Sequence, residues 1–337
     1  MFKFLPVFIF LVALLNFNNN LFAQNTQIKG FIDGITTYQN GQVSFGFEEQ
    51  DLFITSQITD RISFLGETVF KFSPTSPTDF DVSVERVVFK YNYAGNNSLL
   101  FGKQHTPIDY WNDSYHHGRV FYPTIFRPLL FDANIIPLHT TGIRLQGDNL
   151  GDIKFGYDFM VGNGLGSTDV QDNDKNKSVT AALHIKPADG LQIGGSFYSD
   201  VISKGATPHD FTMPVKYQVN QNLITGSVAY FGKKFEVLAE STFAYNHADS
   251  IGTKRTIASY IYGGIRVTDK LVPYAKVEQI NYQQGEIYYM KDNVTSFIGG
   301  IRYEISYLAV IKLEYEYDKK EIEGRINKIT AQFAIGF

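Results

Sequence analysis

The last ten residues, Lys328–Phe337, decide the fold class, and they read KITAQFAIGF. Ile329, Phe333 and Ile335 fall on one face of an extended segment, whereas the residues opposite them are polar or small. Alternation with a period of two predicts a β-strand that has one apolar face. The preceding segment, 308–318, alternates in the same way, so we expect the chain to end in a pair of two-faced strands.

Segments of this kind recur along the chain and predict sixteen strands. Many of them run for ten to thirteen residues, whereas an ordinary strand has roughly five or six. Their apolar faces end in Phe and Tyr, the residues that form girdles at membrane interfaces. The predicted strands lie near 27–39, 46–58, 62–72, 81–93, 98–105, 140–147, 152–163, 177–186, 191–199, 221–231, 235–246, 256–267, 271–282, 293–305, 308–318 and 327–337.

The connections between these strands alternate in length. The short ones lie at 59–61, 94–97, 147–151, 187–190, 232–234, 268–270 and 306–307, and the longer ones at 73–80, 106–139, 164–176, 200–220, 247–255, 283–292 and 319–326. Bacterial outer-membrane barrels combine an even number of strands with short periplasmic turns and long extracellular loops. We therefore predict an all-β fold, a transmembrane antiparallel β-barrel of about sixteen strands in the outer membrane lipid of a Gram-negative bacterium.

Composition and the N-terminus narrow the function classes. The 337 residues carry a formal net charge of −4 and include no cysteine, which excludes a nucleic-acid binder, disulfides and thiol catalysis. Lys3 precedes twelve apolar residues, Phe4–Leu15, fewer than the roughly 20 that a membrane-spanning helix needs. We expect residues 1–23 to be a cleaved signal peptide and residues 24–337 to form a single barrel domain.

The alternation also assigns charged side chains to the inside of the barrel. Those on the early strands are basic, namely Lys71, Arg86, Lys90, Arg144 and Lys154. Those on the later strands are mainly acidic, namely Glu236, Glu240, Glu278, Glu304, Glu314 and Glu316, with Arg266, Lys276, Arg302 and Lys312 among them. One hypothesis is that a basic wall faces an acidic wall and orients polar solutes. The alternative is that these charges only keep the interior wet and pair across strands.

The longest connection, 106–139, is too apolar and aromatic to extend into water. It contains the only tryptophan, Trp111, and prolines that break regular strands. We expect it to fold into the barrel as a constriction, where Asp109, Asp113 and Asp132 would face Arg86, Lys90 and Arg144. Its aromatic residues, with Arg119 and Arg127, either anchor the loop to the wall or form a surface for sugar-like or peptide-like solutes.

The signal-peptide pattern, the sixteen strands, the sorted loops and the final strand ending in Phe337 together resemble the bacterial outer-membrane porins. The segment Gly102–Pro107, GKQHTP, also resembles a strand-end motif of porins of the phosphate-selective type. The resemblance implies that the third outside loop, here 106–139, narrows a pore. It also implies that Phe337 belongs to a signal read by the barrel-assembly machinery and that a homotrimer is a common assembly. It does not carry over a specificity for phosphate.

Passive diffusion of small polar or ionic solutes is the function that these features favour. Sixteen strands leave an aqueous channel unless a loop or plug fills it. We expect no enzymatic activity, no cofactor and no metal. The alternative from a different class is a closed outer-membrane barrel with an adhesion or hydrolase role.

Two clusters of side chains on the long loop suggest other functions. His116 and His117, with Asp113 and His105 or His139 nearby, have the side chains of a metal site, but adjacent histidines on a loop are weakly specific. Ser114 beside His116 has the side chains of an outer-membrane lipase, which acts at the lipid-facing side and needs an orienting polar group. Neither cluster is completed elsewhere in the sequence.

Overall fold

The structure is a computed structural model that describes residues 25–73, 76–115, 118–165, 172, 175–208, 213–289 and 292–337, without the side chain of Glu48. The predicted signal peptide, 1–23, and the pair His116–His117 lie outside the described residues. No helix in the described ranges is long and apolar enough to cross a membrane.

Sixteen strands and two short helices make up the described chain. The strands are β1 Asn25–Gln39, β2 Gln42–Gln57, β3 Ile62–Phe72, β4 Phe80–Ala94, β5 Asn97–His105, β6 His139–Leu150, β7 Phe155–Gly162, β8 Ser178–Ala188, β9 Leu191–Ile202, β10 Val219–Phe231, β11 Phe235–Ala248, β12 Gly252–Ile265, β13 Leu271–Tyr282, β14 Val294–Ser306, β15 Ala309–Lys320 and β16 Gly324–Gly336. The helices, α1 Tyr110–Ser114 and α2 Leu129–Asp132, both lie between β5 and β6. Each predicted strand is confirmed, with its ends within four residues of the prediction.

The sheet closes on itself. Every strand pairs antiparallel with its neighbours in sequence, and β1 also pairs with β16, where Phe31 lies opposite Gly336. The closing seam continues through two main-chain hydrogen bonds of 2.9 Å between Gly30 and Phe337, one in each direction. A closed sheet leaves no edge with unpaired main-chain groups, which is the condition for a sheet that spans lipid.

Outward and inward side chains alternate as the sequence predicts. Leu313, Phe333 and Ile261 are about half exposed on the outer surface, whereas inward neighbours such as Lys312 and Thr330 are buried. The alternation changes phase in β4, because an extra residue at Glu85 separates the pairs Arg86–Glu67 and Val84–Thr68. The bulge lets Val82 and Val84 face outward although they have the same parity as the inward Arg86.

The prediction that all connections at one end of the barrel are long is confirmed only in part. The predicted loops 247–255 and 319–326 are wrong, because β11–β12 and β15–β16 continue pairing and leave only residues 249–251 and 321–323 between them. The turn between β1 and β2, Asn40–Gly41, lies at the same end of the barrel and is also tight. The long connections at that end are 73–79, 106–138, 163–177, 203–218 and 283–293.

Candidate functional site: the lumen and its folded loop

The loop 106–138 leaves the barrel wall below the outer end of the sheet. The preceding strand β5 has nine residues, and its outermost pair with β4 is Lys103–Val87, whereas β4 extends outward to Phe80. Inside the barrel α1 contacts β10 and α2 contacts β13. The predicted inward-folded loop is therefore present, and it ends at Leu138 because His139 already pairs with His105.

Aromatic packing holds the loop against one half of the wall. Trp111 is fully buried, and its ring lies 5.3 Å from the Tyr122 ring and 6.2 Å from the Tyr260 ring on β12. Leu130, Phe131 and other loop residues join the same cluster inside strands β9–β14. Trp111, predicted at the constriction, thus anchors the loop instead of facing open space.

Wall carboxylates accept hydrogen bonds from the main chain of the loop. Glu240 accepts from the amides of Tyr110 and Trp111. Glu314 Oε1 accepts from the Ile125 amide at 2.7 Å, and Glu278 Oε2 accepts from the Leu129 amide at 2.7 Å. Buried main-chain amides need such partners, and bonds to a charged acceptor are stronger than those to a neutral one.

Wall cations donate to the carbonyl groups of the same loop. Lys312 Nζ donates to the carbonyl oxygens of Arg119 at 2.6 Å and Thr124 at 2.9 Å. Arg302 Nη1 donates to the Pro123 carbonyl at 3.1 Å. Much of the mixed charge predicted for strands β11–β15 therefore binds the loop backbone rather than facing solute.

The predicted position of Asp109 is wrong. Its φ of 60° turns the chain toward β11, where Thr242 Oγ1 donates to Asp109 Oδ2 at 3.0 Å. It therefore does not face Arg86, Lys90 or Arg144. Burial raises the pKa of the Asp109 carboxyl to about 6, although hydrogen bonds from threonine hydroxyls oppose the shift.

The pKa of Asp109 predicts a pH-dependent stability. The unfolded carboxyl titrates near 3.8, so the unfolded chain releases its proton first and the fold loses stability as the pH rises from about 4 to about 6. The full loss is about 3 kcal/mol. We expect Asp109→Asn to remove this part of the pH dependence of the urea midpoint. The exposed turn variant Asp189→Asn should keep the wild-type slope; equal slopes for all three proteins would contradict the assignment.

Arg86, Lys90, Asp113 and Arg144 do come together, as predicted. They line a cavity of about 470 Å³ on the side of strands β1–β6, which extends toward Asn25 at the periplasmic end. Arg144 is buried and binds Asp113 at 3.2 Å and Asp158 at 2.7 Å. Arg86 pairs with Glu67.

Two other predicted lumen residues lie elsewhere. Lys154 belongs to the turn before β7, where its side chain is exposed and lies 3.7 Å from Asp189, because β7 begins only at Phe155. Asp132 ends α2 and lines a different cavity, at the extracellular end of strands β13–β16. It therefore does not face Arg86, Lys90 or Arg144.

The sequence analysis does not identify the acidic residues that line the inside of the early strands. Asp33, Glu49 and Asp51 are buried inside β1 and β2, and Arg119 from the loop lies 3.2 Å from Glu49 and 3.7 Å from Asp33. The hypothesis of a basic wall facing an acidic one is thus wrong, since the early strands are themselves mixed. Asp33 follows the period-two pattern of β1, but Glu49 and Asp51 do not follow that of β2. A register shift between the pairs Ile32–Gln50 and Gly34–Phe47 turns them inward, although they have the same parity as the outward Phe47.

The side chains of the possible hydrolase and metal sites do not assemble into such a site among the described residues. Ser114 lies at the end of α1 inside the barrel, away from the lipid-facing side. The rings of His105 and His139 lie side by side, 5.5 Å apart, and His139 lies 3.2 Å from Glu85. In the described ranges no group of three or more His, Asp or Glu side chains is placed to hold a metal ion.

Solved structures of outer-membrane proteins share this architecture. OmpT of Vibrio cholerae is 14% identical, with a TM-score of 0.66 over 95% of this chain and 99% of its own. The anion-selective porin of Comamonas acidovorans is 11% identical, with a TM-score of 0.68 over 93% of this chain and 100% of its own. OmpF of Salmonella typhi, in complex with daunomycin, is 10% identical, with a TM-score of 0.64 over 93% and 97%.

The chain has the fold of an outer-membrane β-barrel. The closed sixteen-strand sheet and its apolar outer surface bear out the predicted location in the outer membrane of a Gram-negative bacterium. No family model matches the sequence, and no curated protein matches it. At these identities the likeness to solved structures establishes the fold.

Proposed function

We propose that the protein is a narrow diffusion channel for small polar or ionic solutes, with loop 106–138 as its constriction. The observation that carries the proposal is that cavities lie at both ends of the barrel. The cavity lined by Arg86 and Lys90, here called the periplasmic cavity, has a volume of about 470 Å³, and another beside Arg302 at the same end has about 490 Å³. The extracellular cavity has a volume of about 960 Å³. The hydrogen-bonded loop lies between the cavities at the two ends, so solutes that cross the barrel must pass it.

The burial of the wall at the level of the loop supports a narrow passage. Lys312, Glu314 and Thr330 on adjacent strands are each at most 2% exposed. A wide aqueous pore would leave such inward polar side chains in contact with water. We therefore expect a conductance well below that of an open sixteen-strand pore and a cut-off that admits only small solutes.

The proposal includes the route by which the barrel reaches the membrane. Residues 1–23 serve as a leader that is removed, and the remaining chain forms one domain. Phe337 at the end of the last strand serves as the tag that the barrel-assembly machinery reads. A homotrimer is the proposed assembly, in line with the trimer form of OmpT of Vibrio cholerae.

Single-channel recording in a planar bilayer with a salt gradient tests the channel. Lys90 lines the periplasmic cavity, and no ion pair to it is formed by the described residues, so Lys90→Gln removes one cavity charge cleanly. We expect small discrete steps, and a reversal potential that moves toward cation preference in this variant. Lys154→Gln makes the same charge change in an exposed turn and should leave the potential unchanged. Silence from folded, inserted protein would contradict the proposal.

A closed barrel is the second candidate, and the complete burial of the wall at the loop level favours it. Such a barrel would expose its loops for adhesion. The hydrolase form of this candidate would need a nucleophile at the lipid-facing side, whereas Ser114 lies inside. A silent wild-type barrel that conducts once the loop is removed would select this candidate over the channel.

A further inference from the structure

The extracellular cavity, here called the vestibule, is strongly acidic. It has a volume of about 960 Å³ between the outer ends of β13–β16 and helix α2. Seven carboxylates and two lysines line it among the described residues. Both lysines are already paired, Lys320 with Glu323 at 2.5 Å and Lys328 with Glu316 at 2.9 Å.

One carboxylate of the vestibule is buried without a partner. Asp318 on β15 lines the cavity and is only 7% exposed, and its Oδ1 has no hydrogen-bond partner among the described residues. Ser296, its cross-strand neighbour on β14, is fully buried, and its hydroxyl also lacks a partner in the described ranges. A buried carboxylate is costly unless a cation or donor reaches it. Asp318 can therefore accept a hydrogen bond from a solute that enters the vestibule.

The arrangement of the residues that line the vestibule favours an organic cation over a metal ion. No three acidic or histidine side chains of the described residues converge closely enough to hold a metal. Between the carboxylates lie apolar and aromatic walls, including Ile280 and the rings of Tyr282 and Tyr289, whose centroids are 6.1 Å apart. Aliphatic ammonium groups combine a charge with methylenes that such walls cover.

The chain contains its own example of this recognition beside the cavity. The ammonium group of Lys328 lies 4.5 Å from the centroid of the Phe126 ring and 2.9 Å from Glu316. An aromatic face and a carboxylate thus bind one primary ammonium at the vestibule wall. A second ammonium from solution would find the same two kinds of group at Asp318 and the tyrosines.

We propose that the vestibule binds solutes carrying primary ammonium groups on an aliphatic chain, with Asp318 as the principal carboxylate. This goes beyond the proposed channel, because binding at the extracellular mouth requires no conduction. Binding and conductance are measured separately, so either proposal can fail alone.

Isothermal titration calorimetry tests the site. Spermidine is titrated into the refolded barrel in non-ionic detergent at low ionic strength. We expect saturable binding to one site per chain, and about tenfold weaker binding for Asp318→Asn, which keeps the size of the side chain. Asp189→Asn removes the same charge from an exposed periplasmic turn and should bind as the wild type does. Absent binding, or equal weakening by both variants, would overturn the proposal.

Wild-type protein alone provides a second test should Asp318→Asn fail to fold. Putrescine and butane-1,4-diol have the same carbon chain, but only putrescine carries ammonium groups. Displacement of spermidine by putrescine and not by the diol supports the proposal, whereas equal displacement by both overturns it. Displacement by Mg²⁺ at the same concentration as spermidine would indicate a compact metal site and would also overturn it.

Discussion

Replacing residues 107–137 by a short Gly-Ser linker is expected to raise the single-channel conductance roughly tenfold, toward that of an open sixteen-strand pore. The amide of Thr106 donates to the carbonyl of Leu138 at 3.0 Å, so a short linker can close the chain there without disturbing β5 or β6. The change removes the aromatic cluster around Trp111. It also exposes Glu240 and Glu314 to water in the lumen, because their main-chain partners belong to the loop.

The matched control places the same linker at residues 76–79, in the connection between β3 and β4. This segment is largely exposed, so its replacement should leave the conductance unchanged. Folding of each barrel is checked by its mobility in unheated gels, and conductance by recording in a planar bilayer. A loop-free barrel that conducts no better than the wild type would mean that the resistance lies elsewhere than in loop 106–138.

The strands were predictable because each carries its own signal. In a barrel the outer face meets lipid and the inner face meets polar side chains, so most of each strand alternates with a period of two and can be recognised from its own sequence. Leu313 and Lys312 show the pattern at adjacent positions. The extra residue at Glu85 was not predictable, since a single bulge shifts the phase without ending the strand.

The lumen was only partly predictable because its contacts join residues far apart in sequence. The inward-folded loop followed from its composition, and the meeting of Asp113 with Arg144 was foreseen. The pairing of Arg119 with Glu49 depends on where the loop crosses the barrel, which no local pattern encodes. For the same reason the sequence does not predict that Asp109 lies against β11, where it accepts a hydrogen bond from Thr242.

Gly102→Ala is expected to destabilise the barrel by at least about 3 kcal/mol, or to prevent its assembly. Gly102 lies within β5 at a φ of +124°, a conformation that side-chain-bearing residues rarely adopt. A Cβ at this position would lie 1.9 Å from the carbonyl oxygen of Val87 on β4. The backbone of β4 would have to move, and with it the ladder that ends where loop 106–138 turns inward. The close approach of β4 thus explains why the segment Gly102–Pro107 begins with glycine.

Gly226→Ala is the matched control, because a Cβ added to this strand glycine of β10 meets no atom within 4 Å. Alanine there should fold as the wild type does, since β-strands lose little by gaining a methyl group in open space. Urea unfolding in detergent and gel mobility of unheated samples compare the three proteins. If Gly102→Ala unfolded at the wild-type urea concentration, β4 would have to yield at little cost, and the close approach at Val87 would not constrain the barrel.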